Sequence, residues 1–244
     1  MNSFQVDTSV KTVVVVGSKP DSDFPLIAPD VVVTAKSSVE QGLVYREKSG
    51  SKIIALVPWP ELQERGYMKP ALVNSQPEEL VILGDNEKES ILFIENILKL
   101  ENTKVELQTH NQRNFGLLKN LGRAKYTLML HMLWIRGFRF FIKTAVYDFF
   151  GKRDMQWLSR STGINGIMYA RARFPNATII VVGIGLVGGG HFDGKGVFTK
   201  KSAKSDQIFM KHWPQSKRSN IYTTDDNLSS LGGVDKWKGE IFSN

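Results

Sequence analysis

The chain has 244 residues, 41% of them hydrophobic and 23% charged, with 21 Gly, 9 Pro and no Cys. This composition excludes disordered, collagenous and low-complexity classes, and the missing Cys excludes a disulfide scaffold, thiolate metal sites and a cysteine nucleophile. The net charge of +8 is concentrated: residues 113–220 hold 19 basic and 4 acidic side chains, whereas 1–112 hold 11 and 16 and 221–244 hold 2 and 4. Such a block should attract an anion: nucleic acid, an acidic lipid surface or a phosphorylated small molecule.

The residues from Met1 to Lys11 lack a basic region followed by an apolar stretch, so no signal peptide is expected. Thr12–Gly17 (TVVVVG) and Asp30–Ala35 (DVVVTA) are β-branched runs that predict buried parallel strands. Ser37 or Ser38 then suits an N-cap, with Glu40 in the first turn of a helix. Lys52–Val57 and Glu79–Leu83 are further strands, and Pro58–Gln76 between them reads as an irregular insertion. A helix is expected over Glu87–Leu100 and a short strand over Val105–Leu107.

Arg113–Phe150 reads as helical, broken near Gly122 and Gly137. Its stretch Leu128–Phe150 is long enough to span a bilayer, but His131, Arg136, Arg139, Lys143 and Asp148 interrupt it. A charge at the bilayer centre costs roughly 2.5–3.5 kcal/mol, which argues against a span. Two readings of it remain: an amphipathic helix packed on the core, or a helix lying at a lipid interface. Thr162–Phe174 predicts a helix, Thr178–Val182 a buried strand and Lys201–Trp213 a helix. Gly183–Gly196, with seven Gly, reads as a loop, Ile221–Tyr222 as a short extended piece, and Leu228–Asn244 as a tail that mixes turn residues with Leu231, Val234, Trp237, Ile241 and Phe242. Buried strands alternating with helices predict one α/β domain over 1–244 with a mostly parallel, twisted sheet flanked by helices. The basic helical region 113–153 would form a lid or a membrane-facing surface.

Several constellations could carry chemistry. Gly17, Ser18 and Lys19 form a turn after the first strand, where open α/β sheets bind ligands. This turn lacks both the three glycines of a dinucleotide fingerprint and the GK[ST] of a P-loop. Asp21 and Asp23 have a metal-compatible spacing, which is weak support by itself, and no metal site is expected. Ser161, Thr162 and Gly163 open a helix beside Arg160, so hydroxyls and free N–H groups could hold an anion there or simply cap the helix. Gly190 and His191 sit in the glycine-rich loop. His191 could act as general base, with Asp193 orienting it, and His212, at the end of a helix in a basic setting, is the second candidate. His110 and His131 read as structural.

The order of these motifs resembles the sialyltransferases and related enzymes that use CMP-activated sugars. Ser161-Thr162-Gly163 matches their helix start that binds the nucleotide, and Gly190-His191-Phe192 matches their His-aromatic motif. The strands around VVVVGSKPDSD and DVVVTAKSS resemble the nucleotide-binding half, which brings Thr34 into the candidate nucleotide set with Gly17, Ser18 and Lys19. The family's Gly-Asn-Gly/Ser is replaced by Ser18-Lys19 and its second Asn by Ala35-Lys36, and its His-x4-Glu is missing from both Ala203–Gln207 and Lys211–Ser216.

The resemblance implies a Rossmann-like fold of the GT-A-variant sialyltransferase kind. It implies a metal-independent, inverting glycosyltransferase that needs no cofactor. The donor would be a CMP-sugar carrying sialic acid or Kdo, and the acceptor a hydroxyl of a glycan or glycolipid. A cytoplasmic protein, peripheral on the cytoplasmic face of an anionic membrane, would fit. The alternatives are a nucleic-acid-binding or nucleic-acid-modifying protein using the basic block, with Trp134, Phe138, Phe140 and Phe141 as stacking surfaces, and a non-catalytic α/β protein docking on anionic membrane.

Overall fold

The computed structural model describes residues 6–64, 68–84, 92, 98, 100, 102–109, 112–113, 121–136, 138, 142, 160–187, 189–190, 197–198 and 200–243. The expected helix over Glu87–Leu100 therefore falls mostly outside the described residues, as does the break at Gly137.

The β-branched runs form the middle of an eight-stranded, wholly parallel sheet. Its strands are β1 (Thr12–Val16), β3 (Val31–Ala35), β4 (Lys52–Pro58), β5 (Glu79–Leu83), β6 (Lys104–Gln108), β7 (Thr178–Val182), β10 (Ile221–Thr223) and β11 (Asp235–Lys236), in the order β11-β10-β7-β1-β3-β4-β5-β6. Two antiparallel ribbons are separate: β2 (Asp23–Pro25) with β12 (Ile241–Ser243), and β8 (Gly189–Gly190) with β9 (Val197–Phe198). The helices are α1 (Val39–Ser49), α2 (Trp59–Glu64), α3 (Met68–Ser75), α4 (Ala124–Arg136), α5 (Thr162–Arg173), α6 (Lys200–His212) and α7 (Asp226–Gly232). The fold is α/β and Rossmann-like.

Strands buried on both faces read as continuous apolar runs because alternate side chains serve two cores. Val13, Val15, Val31 and Val33 face the cluster completed by Ile164, Ile167, Phe209 and Trp213 of α5 and the α6 end. Val14, Val16 and Val32 face Phe24 and Tyr45, and Ile53, Ala55 and Val57 face Leu62, Met68 and Leu72. Each such side chain, fully buried, contributes about 1.5–3 kcal/mol. Ser38 precedes α1 as expected, but its hydroxyl does not cap the helix. It accepts instead from the Ala35 N–H and donates to the Val16 carbonyl, tying the end of β3 to the end of β1.

One expectation needs correction. Pro58–Gln76 is not irregular: it contains α2 and α3, which cover β4 and β5 with Leu62, Met68 and Leu72. In the tail from Leu228, α7, β11 and β12 are regular, Leu228 and Val234 enter the core and Leu231 packs against it. Within Gly183–Gly196, the pairing of Gly189 with Phe198 and Gly190 with Val197 makes the ends of the loop a ribbon. Among the described residues, no helix is long and apolar enough to cross a membrane.

Candidate functional site

The chain leaves β1 toward β3 on one side, and after β6 it returns to place β7 on the other side. Connections therefore diverge between β1 and β7, and in open parallel sheets the crevice at the carboxyl end of such a switch point is where ligands bind. Here the two strand ends touch through their backbones. Gly17 N donates to Val182 O at 2.8 Å and Lys19 N to Gly183 O at 2.9 Å. A Cβ on Gly17 would lie 2.3 Å from Gly183 O, and Gly183 has φ +67°, so neither position accepts a side chain without displacement.

The floor of the crevice is tied by Asp225, which follows β10. Its Oδ1 accepts from Lys19 Nζ at 2.7 Å and its Oδ2 from Ile184 N at 3.0 Å, and the residue is 4% exposed. Lys19 is therefore already paired, although its side chain stays about one-third exposed (36%) and open to a second anion. Ser22, buried in the turn after Lys19, donates to the Lys19 carbonyl.

The wall is the first turn of α5. Ser161 is the N-cap, its Oγ accepting from Ile164 N at 3.3 Å, and a Cβ on Gly163 would sit 3.1 Å from Ile184, just past the end of β7. The Ser161-Thr162-Gly163 start is thus at the switch point, with Gly17, Ser18 and Lys19 on the facing turn. Asp206, fully buried on α6, accepts the Ser161 N–H at 3.0 Å through Oδ1, while its Oδ2 has no hydrogen-bond partner. Burial pushes the Asp206 carboxyl up to about 6, against the downward pull of Ser161 and Arg160.

Arg160 is the cation of this wall. Its Nε and Nη2 donate to Asn165 Oδ1 at 3.2 and 3.1 Å, its guanidinium lies 5.4 Å from the Phe209 ring, and its enclosed Nη1 has no partner. Burial, aided by the like charge of Arg113, lowers its pKa to about 9, with Asp206 opposing the shift. An anion placed at Nη1 would remove both the unmet donor and the charge imbalance.

Two expected contributors, Thr34 and His212, are not brought together here. Thr34 is fully buried on the face of β3 under α1, where its methyl would lie 3.0 Å from a Cβ on Gly42, and its Oγ1 has no partner. The alternation of the strand turns it into the core, so it does not line the crevice. His212 is also elsewhere, since α6 descends from Asp206 for six residues, about 9 Å, before reaching it. That end of α6 runs on to Lys217, whose carbonyl accepts from Arg171 in the last turn of α5. There His212 Nε2 lies 3.1 Å from Nδ1 of the exposed His131, and burial, with His131 and Lys211, lowers its pKa. His212 is therefore paired with His131 rather than with the Ser161-Thr162-Gly163 turn. Asp23 begins β2, and among the described residues no three or more His, Asp or Glu side chains gather as a metal site would need. His191 and Asp193 lie outside the described residues, between β8 and β9, and Gly190 is held in that ribbon.

Sequence reasoning missed Asp225, and it noted Arg160 only as a neighbour of the serine. The signal for Asp225 is a Thr-Thr-Asp-Asp stretch, Thr223–Asp226, at the carboxyl end of a short strand. It gains meaning only once β10 is known to lie beside β7. Compared with protein-family models, curated proteins and solved structures, the chain gives no match.

Proposed function

We propose that the crevice binds the phosphate of a CMP-sugar, and that the chain is an inverting glycosyltransferase of the sialyltransferase-like kind. The donated acidic sugar would be sialic acid or Kdo, and the acceptor a glycan or glycolipid hydroxyl. The observation that carries this reading is the Arg160 guanidinium at the start of α5, with an enclosed Nη1 that lacks a partner. In the reaction the acceptor oxygen bonds to the anomeric carbon as the bond from that carbon to the phosphate oxygen breaks. The electron pair leaves with CMP. Arg160, Lys19 and the first-turn N–H groups of Thr162 and Gly163 would stabilise the growing phosphate charge. Asp206 acts through Ser161 and positions that turn. His191, oriented by Asp193, takes the acceptor proton in this scheme.

A thermal-shift panel of CMP, CDP, UDP, ADP, NAD and S-adenosylmethionine tests the reading. CMP should raise the midpoint selectively, and Arg160→Ala should weaken CMP binding about 10- to 100-fold without unfolding the protein. An unchanged CMP affinity in that variant, or no CMP response at all, would overturn it.

A further inference from the structure

Helix α4 is apolar on two faces, and the fold uses one of them. Leu121, just before it, and Leu128 enter the main core. On the other side Trp134 is 89% exposed, Leu130 59% and Tyr126 57%. Residues 126, 130 and 134 follow one another at four-residue steps, each turning the helix by about 40°, so they form a single slowly winding stripe along α4. A surface helix with one buried face normally carries polar residues on the other, and a continuous exposed apolar stripe marks an interaction surface.

The exposed charges near the stripe say what it meets. From Leu121 to Arg136 the sequence has no Asp or Glu. Arg123 is exposed at the start of the stripe. Helix α6 packs beside α4, joined to it by His131 and His212, and adds the exposed Lys204 and Lys211. A second copy of the chain would bring one basic surface against another. An oligonucleotide could stack on Trp134 but would leave Leu130 without a role. An anionic bilayer satisfies all of them: aliphatic and aromatic groups enter the boundary between headgroups and acyl chains, Trp favours that level, and cations meet the lipid phosphates.

We propose that α4 is a membrane-docking helix, which lies in the plane of an anionic lipid surface with Leu130 and Trp134 inserted. This stands independently of what the crevice binds.

Vesicle flotation with the full chain tests it, using phosphatidylcholine alone against phosphatidylcholine with about 30 mol% phosphatidylglycerol. Anionic vesicles should be bound at least ~10-fold more tightly than neutral ones, and less so as salt rises. Leu130→Glu with Trp134→Glu should lower that affinity by ~10-fold or more. Both side chains are exposed, so the thermal midpoint should not move; Leu130→Ser with Trp134→Ser serves if the charged pair fails to fold. Absence of binding to anionic vesicles overturns the proposal, as does binding that survives both pairs of substitutions. Tighter, Trp134-dependent binding of a dT oligomer, or a dimer that the substitutions dissolve, would overturn it in favour of those partners.

Discussion

At the amino end of the sheet, Glu79 has both carboxylate oxygens taken, by the Arg173 guanidinium and by Lys52. At the carboxyl end, Asp206 and Arg160 each keep one enclosed polar atom without a partner. Both ends bury charge, and burial costs either end several kcal/mol per ion unless partners return it. At the Glu79 end, burial would raise the carboxyl, but bonds from Arg173 and Lys52 outweigh it and hold it below its ordinary range. At the Asp206 end burial wins. The difference lies in the carboxylates: both oxygens of Glu79 are bonded, although Arg173 Nε is left without a partner, whereas Asp206 keeps one oxygen without a partner among the described residues. Active sites commonly keep perturbed groups in this way.

The comparison can be broken first at the clamp. Glu79→Ala leaves Arg173 buried without its counter-charge and should cost about 3–5 kcal/mol in urea unfolding. The CMP affinity of the molecules still folded should be unchanged, because the clamp lies at the far end of α5. Next is the strand contact at the crevice. Gly17→Ala forces a Cβ against Gly183 O and should cost about 1–3 kcal/mol. Unlike Glu79→Ala, it should also weaken CMP binding in the folded fraction.

The smallest effect is the most discriminating, since the two carboxyls respond to acid with opposite sign. Glu79 is held down when folded, so its contribution is present above the ordinary carboxylate range and is lost as pH falls. Asp206 is raised to about 6 when folded, so the native state takes up its proton first, and stability rises as pH falls from about 6 toward 4. Asp206→Asn should remove that gain, a difference of roughly 1–3 kcal/mol between the variant and the parent across this interval. Chemical denaturation at a series of pH values reads it directly. A difference that stays constant with pH would mean that Asp206 binds its proton equally in the folded and unfolded states.

The strands were legible because both faces of the sheet are covered, which turns each strand into an unbroken run such as VVVV or TIIVV. The switch-point glycine and the Ser-Thr-Gly start were legible too, since each is a local turn signal. What sequence could not supply was pairing at long range. Asp206 meets Ser161, Asp225 meets Lys19 and Glu79 meets Arg173 only after the strand order is set. Thr34 and His212 were misplaced for a related reason. A hydroxyl at the end of a strand can face either core, and a histidine at a helix end can lie at either edge of the sheet. The helix in the tail is only seven residues long, too short for a period to show.

The pairing of β1 with β7 sets Thr12 against Thr178, across most of the chain. The strands β1, β3, β4, β5 and β6 can add in order of synthesis, each beside its predecessor, whereas β7 must travel back to the first. Contacts so distant in sequence bear the heaviest loop-closure cost and form late. The crevice is therefore assembled after most of the sheet exists, and no fragment ending before β7 can contain it. Ligand binding during refolding would accordingly report completion of the whole molecule, and a ribosome-bound chain would acquire its site only as its last third emerges.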